Sequence, residues 1–105
     1  DLLAFLERHP DDGAAVIRHT GALIQAIHNA GVYHADLHVK NIVLDRDLTP
    51  WVIDLDKARR FTEMPFLLRY KNTRRFLNSL KKWHEKGRIS LPGDWRQSFM
   101  RGYSE

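Results

Sequence analysis

Apolar residues in the first third of the chain recur at the 3.6-residue spacing of amphipathic helices. The segment DLLAFLERH, residues 1–9, carries four large apolar residues and predicts a short helix that opens at Asp1 and ends at Pro10. Residues 11–31 predict a long helix. Its apolar face is formed by Val16, Leu23 and Ile27, with Ile17 and Ile24 alongside.

Polar residues and glycines mark the ends of the long helix. Asp11 or Asp12 can cap its first turn, and Gly31 stands where a left-handed residue commonly ends a helix. Gly21 lies in its interior, where glycine costs about 1 kcal/mol relative to alanine. The helix is therefore expected to stop at Gly31, and the segment that follows is expected to be a loop.

Two short runs of β-branched and aromatic residues come next. NIVLD, residues 41–45, and WVIDL, residues 51–55, predict strands, and the intervening RDLTP supplies turn residues. The two strands are predicted to pair as a hairpin.

Helical spacing returns in residues 65–87, where Phe76, Leu80 and Trp83 share a face, and again in residues 92–103. The predicted fold is therefore mainly α with a short β-hairpin.

The composition fits one small globular domain. The 105 residues are 43% hydrophobic and 29% charged, and the absence of cysteine excludes disulfides and thiolate metal sites. No apolar run approaches the roughly 20 residues that span a bilayer. The chain begins with Asp1 and carries no signal-peptide pattern, so we expect it to be a piece of a longer protein.

The net charge of +4 is unevenly distributed. Residues 1–56 carry −5 and residues 57–105 carry +9, which favours an anionic partner for the second half. The alternative is an ordinary solvated helix face. The basic residues in question are Arg69, Lys71, Arg74, Arg75, Lys81 and Lys82.

Ionisable residues are concentrated between the long helix and the hairpin, in VYHADLHVKNIVLD, residues 32–45. His34, Asp36 and Asn41 follow the pattern H-x-D-x-x-x-x-N, and Asp54 ends the second predicted strand. A carboxylate that orients a hydroxyl, with an amide and a second carboxylate that hold Mg²⁺, is the set that phosphoryl transfer from a nucleotide requires. The hairpin can bring Asn41 and Asp54 to one edge.

Other interpretations of these residues remain open. Asp36 could cap a turn, and His34, Asp36 and His38 could form a zinc site, although no further ligand is indicated. Lys40 is either solvated or touches phosphate. Asp45 is expected to start the hairpin turn. Asp56 and Lys57 pair either with each other or with substrate, and the tryptophans Trp51, Trp83 and Trp95 are expected in the core or an interface.

The sequence HADLHVKN followed by VID resembles the catalytic loop and metal-binding aspartate of the protein-kinase-like fold. GVYHADLHVKNIVLD and WVIDLDKARRF are most similar to 3-deoxy-D-manno-octulosonic acid (Kdo) kinases of the lipopolysaccharide-kinase group, which carry H-A-D-L-N/H-x-x-N-I-L-L-D and then I-D-F-D-K. NTRRFLNSLKK also resembles a helix of that group. The similarity covers residues 28–83 and is most specific in the loop and hairpin.

The resemblance implies roles for individual residues. Asp36 matches the catalytic base of the loop, residues 34–41. Asn41 and Asp54 match the ligands of Mg²⁺ and of the ATP phosphates, with Asp54 in the metal-binding segment, residues 53–56. His34 matches a histidine that supports the loop backbone. Two departures from protein kinases, His38 in place of a lysine and Asp56 in place of a glycine, favour a small-molecule or lipid-sugar acceptor.

The resemblance also implies partners. The expected reaction is ATP-dependent phosphorylation of a Kdo sugar in the lipopolysaccharide inner core, on a Kdo-bearing lipid A precursor or other anionic sugar. The expected location is the cytoplasmic side of the bacterial inner membrane, with peripheral contact to anionic lipid. Nothing in the chain matches the glycine-rich loop, lysine or glutamate of an N-terminal lobe. We therefore expect residues 1–105 to be a C-terminal lobe that is inactive alone.

Three other functions compete with this one. A kinase of the aminoglycoside or choline type would phosphorylate a free alcohol rather than a Kdo lipid. A non-catalytic kinase-like binding module would have no need of Asp36, Asn41 and Asp54 together. A nucleic-acid-binding domain fits the charge, but no recognised binding motif accompanies it, and we expect no nucleic-acid partner.

Overall fold

The computed structural model describes residues 1–104, which form four helices and four short strands. The predicted helices are all present. They are α1 (Leu2–Arg8), α2 (Gly13–Asn29), α3 (Phe66–Glu85) and α4 (Trp95–Ser104). The strands are β1 (Val32–His34), β2 (Ile42–Leu44), β3 (Pro50–Val52) and β4 (Ala58–Arg60).

Residues expected to cap the helices do so at the start of α1 and after α2, but not at the start of α2. The side chain of Asp1 caps α1 by accepting a hydrogen bond from the Ala4 backbone N–H at 2.8 Å. Gly31 adopts a left-handed conformation after α2, with φ of +81°. Asp12 occupies the position before α2, but its side chain makes no capping bond within residues 1–104. A short 3₁₀ turn, Pro10–Asp12, leads into the helix and holds Asp12 outside the extended conformation that capping residues use.

The predicted hairpin is confirmed, and a second strand pair was missed. β2 pairs antiparallel with β3, with Val43 opposite Trp51. β1 pairs antiparallel with β4, with Tyr33 opposite Arg59. The expectation of a loop directly after Gly31 was therefore wrong. Each strand of this second pair has only three residues, and the whole hairpin separates them, so no local alternation of polar and apolar residues signals the pairing.

All four helices contribute to the core, together with apolar residues of the loop before β2. The fully buried side chains of the core include Ile17, Ile24, Phe76 and Phe99. The buried face of α2 is rotated about the helix axis relative to the predicted apolar face. Thr20, Gly21 and His28 are buried, whereas Leu23 and Ile27 are only half-buried. Among the helices within residues 1–104, none has both the length and the apolar character needed to cross a lipid bilayer.

Two glycines allow α2 and α4 to cross at backbone contact. A Cβ atom at Gly21 would overlap the carbonyl oxygen of Phe99, and one at Gly102 would overlap that of Arg18. The obstacle in both cases is backbone, which cannot rotate aside as a side chain can. The energetic disadvantage of Gly21 within a helix is therefore offset by the close packing that it permits.

Gly102→Ala is expected to destabilise the protein, by about 2 kcal/mol or more, because the helices must separate to admit the methyl group. Urea unfolding followed by circular dichroism measures the change. Gly93→Ala is the matched control, because a Cβ there meets no atom within 4 Å. Equal stability of the two variants would contradict the close-crossing interpretation.

Candidate active site

The loop of residues 34–41 is anchored where β1 ends. The side-chain amide of Asn72, on α3, accepts a hydrogen bond from the His34 backbone N–H at 3.2 Å and donates one to the His34 carbonyl at 2.7 Å. Asn72 is buried, with 1% of its surface exposed. Both polar backbone atoms of His34 are thus held by one side chain, which fixes the direction in which the loop leaves the strand.

A second buried histidine extends this network towards α2 and α4. His28 Nε2 lies 3.0 Å from Asn72 Oδ1, and His28 Nδ1 lies 2.8 Å from the Tyr103 hydroxyl. Since Asn72 Oδ1 can only accept, His28 donates through Nε2 and accepts from Tyr103. Burial lowers the pKa of His28, which favours this neutral form.

His34 itself connects this loop to residues 53–56. Its ring Nδ1 accepts from the Asp36 backbone N–H at 3.1 Å, so its Nε2 carries the proton and donates to the Ile53 carbonyl at 3.1 Å. The ring is fully buried. These contacts suit a residue that supports backbone geometry, and they leave neither ring nitrogen available as a zinc ligand.

Asp36 lies between two side chains. Its Oδ1 accepts a hydrogen bond from Arg75 Nη2 at 2.7 Å, and its Oδ2 lies 3.5 Å from His38 Nε2. The guanidinium of Arg75, assisted by the charges of His38 and Lys57, lowers the pKa of Asp36. The carboxylate therefore stays ionised throughout the neutral pH range.

The loop returns to the hairpin at Asn41. Its side-chain Nδ2 donates to the Asp36 carbonyl at 2.6 Å, and its backbone carbonyl accepts from the Ile53 N–H at 2.9 Å. The amide nitrogen is thus committed to the loop, and the side-chain oxygen is the atom able to coordinate a cation. Because Ile53 directly precedes Asp54, the backbone contact brings the second carboxylate beside Asn41.

Asp54 adopts a left-handed conformation, with φ of +65°, immediately after the hairpin. A hydrogen bond with Asp56 and repulsion between their two charges raise the pKa of Asp54, and the charge of Asp36 adds to this effect. A divalent cation would relieve that repulsion. Among residues 1–104, no group of three or more histidine or carboxylate side chains is arranged to hold a metal. The amide and carboxylate pair suits Mg²⁺, which takes few protein ligands.

Two residues of the site were not singled out from the sequence. Asn72 and Arg75 both stand in NTRRFLNSLKK, the segment similar to a helix of the lipopolysaccharide-kinase group, but that similarity gave neither residue a role. Arg75 was grouped with the basic residues of α3 although it contacts Asp36. Arg69 belonged to the same group, and it bonds the His28 carbonyl and the Asn29 side chain at the end of α2. Helical spacing placed these residues on α3, but it contained no information about what faces that helix.

The remaining polar expectations have mixed outcomes. Asp45 starts the hairpin turn as expected, since its Oδ1 accepts from the backbone N–H groups of Asp47 and Thr49. Trp95 is buried in the core, as predicted, whereas Trp51 is 57% exposed. Asp56 acts on Asp54, whose pKa it raises, and residues 1–104 show no ion pair between Asp56 and Lys57.

An open groove of about 700 Å³ runs from the Asp36 region along α3. His38 and Arg75, which both face Asp36, form part of its wall. The remaining lining is rich in basic and aromatic residues. It comprises Lys40, Leu67, Tyr70, Lys71, Arg74, Asn78, Ser79, Lys82 and Trp83.

Several proteins named 3-deoxy-D-manno-octulosonic acid kinase are similar to this chain. A 3-deoxy-D-manno-octulosonic acid kinase of Vibrio parahaemolyticus is 36% identical over 83 residues, which is 78% of this chain and 33% of the relative. The kinase of the same name from Vibrio vulnificus is 32% identical over 93 residues, covering 82% and 39%. That of Photobacterium damsela is 52% identical over 40 residues, covering 38% and 17%. The chain thus spans well under half the length of these relatives.

No solved structure matches the chain. The sequence profile of the lipopolysaccharide kinase (Kdo/WaaP) family matches residues 1–103, which is nearly the whole chain and includes every residue of the site described above. The chain belongs to the lipopolysaccharide kinase (Kdo/WaaP) family.

Proposed function

We propose that the protein is an ATP-dependent kinase that phosphorylates a hydroxyl group of a Kdo sugar in the inner core of lipopolysaccharide. Family membership and the names of the relatives support the reaction and the sugar. The observation that carries the assignment is the convergence of Asp36, Asn41 and Asp54. Asn41 bonds the Asp36 backbone through its side chain and the residue before Asp54 through its own backbone.

Asp36 is the proposed general base. Its carboxylate accepts the proton of the acceptor hydroxyl while that oxygen forms a bond to the γ-phosphorus and the bond to ADP breaks. Arg75 lowers the proton affinity of this carboxylate, so proton transfer occurs late, when the attacking hydroxyl has become acidic. Before that point Asp36 mainly orients the hydroxyl, and Arg75 and His38 hold the carboxylate in place.

Asn41 and Asp54 are the proposed ligands of Mg²⁺, through the side-chain oxygen of Asn41 and the carboxylate of Asp54. When bound, the ion would neutralise charge on the ATP phosphates. The raised pKa of Asp54 supports this assignment, because the carboxyl pair with Asp56 favours a nearby cation. The charge of Lys57 also contributes to the lowered pKa of Asp36, after those of Arg75 and His38.

We further propose that residues 1–104 correspond to the C-terminal lobe of the kinase fold. The last strand of the hairpin and the segment that follows it expose three apolar residues, Trp51, Ile53 and Leu55, with 57%, 42% and 58% of each residue exposed. These residues lie beside Asp54, where a nucleotide and the lobe that covers it would sit. The glycine-rich loop and lysine that clamp ATP phosphates would come from that other lobe.

Peripheral contact with the cytoplasmic face of the inner membrane is the proposed location. The start of α3 exposes Phe66, Leu67 and Tyr70, with 80%, 62% and 52% of their surfaces accessible. Lys71 and Arg74 lie next to them on the same helix. Aromatic and aliphatic residues flanked by basic ones suit the interface of an anionic bilayer.

The alternative of an aminoglycoside- or choline-type kinase shares this catalytic geometry and differs in its acceptor. The relatives named as Kdo kinases favour the first proposal. A non-catalytic module is also disfavoured, because Arg75 and His38 converge on a carboxylate that such a module would not need to hold.

Asp36→Asn in the full-length protein is expected to lower kcat by roughly 10²- to 10⁴-fold, because general-base catalysis contributes about that much. Binding of ATP should change little. Transfer of radiolabelled phosphate from ATP to a Kdo-bearing lipid measures the rate. Asp47→Asn, in the exposed hairpin turn, is the control, and a kcat near wild type for Asp36→Asn would refute the assignment of the base.

Asn41→Ala and Asp54→Ala are each expected to weaken divalent-ion binding, and the double variant should be little worse than either, because the two residues share one ion. Binding of Mn²⁺ in the presence of ADP, followed by electron paramagnetic resonance, gives the affinities without requiring turnover. Additive losses in the double-mutant cycle would show that the two side chains do not share an ion.

Phe66→Ser combined with Leu67→Ser is expected to release the protein from vesicles that contain anionic phospholipid, because the apolar contact is lost. Binding of the wild type should fall as salt rises, since attraction is worth about 1 kcal/mol per basic residue near the surface and is screened. Co-sedimentation measures both effects. Leu55→Ser is the control, as it removes an exposed apolar residue elsewhere. Equal losses in both variants would argue against a surface at the start of α3.

A further inference from the structure

Four cations surround a single aromatic ring at the C-terminal end of α3. The charged groups of Lys40, Lys82, Lys86 and Arg88 lie 5.1, 5.2, 5.1 and 5.3 Å from the centroid of the Trp83 ring. Lys40 comes from the catalytic loop, and the other three come from the end of α3 and the turn after it. A cation over an indole ring gains a modest attraction, but four of them around one ring also repel one another.

Carboxylates offset only part of this charge. Arg88 pairs with Glu7 at 3.1 Å. Within residues 1–104, no carboxylate lies within ion-pair distance of Lys40, Lys82 or Lys86. Lys82 and Lys86 also line a neighbouring surface pocket, where the carboxylate of Glu85 is paired with Lys81 instead. Three positive charges gathered around one ring, none of them in an ion pair with a carboxylate, form a site of positive potential, which favours a multiply charged anion.

The cluster is continuous with the reaction centre. Lys40, Lys82 and Trp83 line the groove of about 700 Å³ whose wall also includes His38 and Arg75, the residues that contact Asp36. An acceptor lying in this groove would therefore have its reacting hydroxyl at Asp36 and a more distant part of the molecule at Trp83.

We propose that Lys40, Lys82 and Lys86 bind a phosphate monoester of the acceptor, at a position remote from the hydroxyl that is phosphorylated. This inference rests on the proposed function for the identity of the acceptor. A phosphate monoester carries close to two negative charges near neutral pH and has three oxygen acceptors, which matches three ammonium groups that share no carboxylate. Trp83 is half-buried, and its ring gives the lysine side chains an apolar surface to lie against.

The site would make the enzyme select its acceptor by two separated groups. Binding energy gained at the remote phosphate holds the sugar in register, so that the hydroxyl meets Asp36. Sugars that lack the phosphate would bind weakly although their hydroxyl chemistry is the same. The expected signature is therefore a change in KM that depends on the acceptor phosphate, with kcat largely unchanged.

The test compares the full-length wild type with the triple variant Lys40→Gln, Lys82→Gln and Lys86→Gln. Two acceptors are used, a phosphorylated Kdo-bearing lipid and the same lipid after phosphatase treatment. The KM of the triple variant for the phosphorylated acceptor should rise at least about tenfold, as hydrogen bonds to charged groups contribute roughly 1.5–3 kcal/mol. The KM for the treated acceptor should stay the same.

Arg8→Gln, Arg46→Gln and Arg101→Gln together form the matched control, because they remove three positive charges from exposed positions outside the groove. This control should keep the wild-type KM for both acceptors. An equal rise in both triple variants would overturn the proposal in favour of a general effect of net charge. An equal rise in the KM values of the lysine variant for both acceptors would also overturn the proposal, since the lysines would then not distinguish the phosphorylated acceptor from the treated one.

Binding is tested separately from catalysis with glucose 6-phosphate and glucose as probes. The indole N–H resonance of Trp83, assigned through Trp83→Phe, should shift with glucose 6-phosphate and not with glucose, and the shift should be lost in the lysine variant. If vesicles of anionic phospholipid shift this resonance and glucose 6-phosphate does not, the site binds lipid headgroups and the acceptor proposal is overturned.

These measurements also separate the two proposals. A Trp83 response to glucose 6-phosphate without phosphate transfer to any Kdo lipid would support the anion site and refute the proposed function. Transfer to Kdo lipid with unchanged KM values in the lysine variant would support the function and refute the anion site.

Discussion

The candidate active site depends on one buried side chain, the amide of Asn72. It bonds both backbone polar atoms of His34, and its oxygen also accepts from His28. This one buried amide satisfies both a backbone N–H and a backbone carbonyl. Movement of the strand end would break one of these bonds and leave a buried polar atom without a partner, which disfavours any other position of the strand end. The direction of the loop of residues 34–41 is therefore set by α3, a helix that follows it in sequence.

Short hydrogen bonds connect this anchored strand end to the candidate site residues. The His34 ring bonds the Asp36 backbone N–H and the Ile53 carbonyl, and Asn41 bonds the Asp36 carbonyl and the Ile53 N–H. The segment that carries Asp36 and the segment that carries Asp54 are therefore joined by two separate bridges. Arg75 then fixes the Asp36 carboxylate itself. Helix α3 thus contributes to the site twice, through the Asn72 amide beneath the loop and through a guanidinium on its surface.

The basic second half of the chain has several roles in the structure. Arg69 bonds the end of α2, and Arg75 bonds the candidate base, while Lys82 and Lys86 gather around Trp83. Net charge is a sum over such roles, so it could indicate an anionic partner but could not locate one. The groove along α3 shows where basic residues gather, since several of them line it together with His38 and Arg75, which contact Asp36.

Local sequence determined the helices, the hairpin and the pattern of His34, Asp36, Asn41 and Asp54, because helical period, turn chemistry and motif spacing are properties of short segments. The tertiary structure alone decided the pairing of β1 with β4 and the rotated face of α2. It alone brought Arg75 to Asp36. These features join residues far apart in the chain. A contact between distant residues depends on how the helices and strands pack against one another, and the spacing of apolar residues within one helix or strand does not specify that packing.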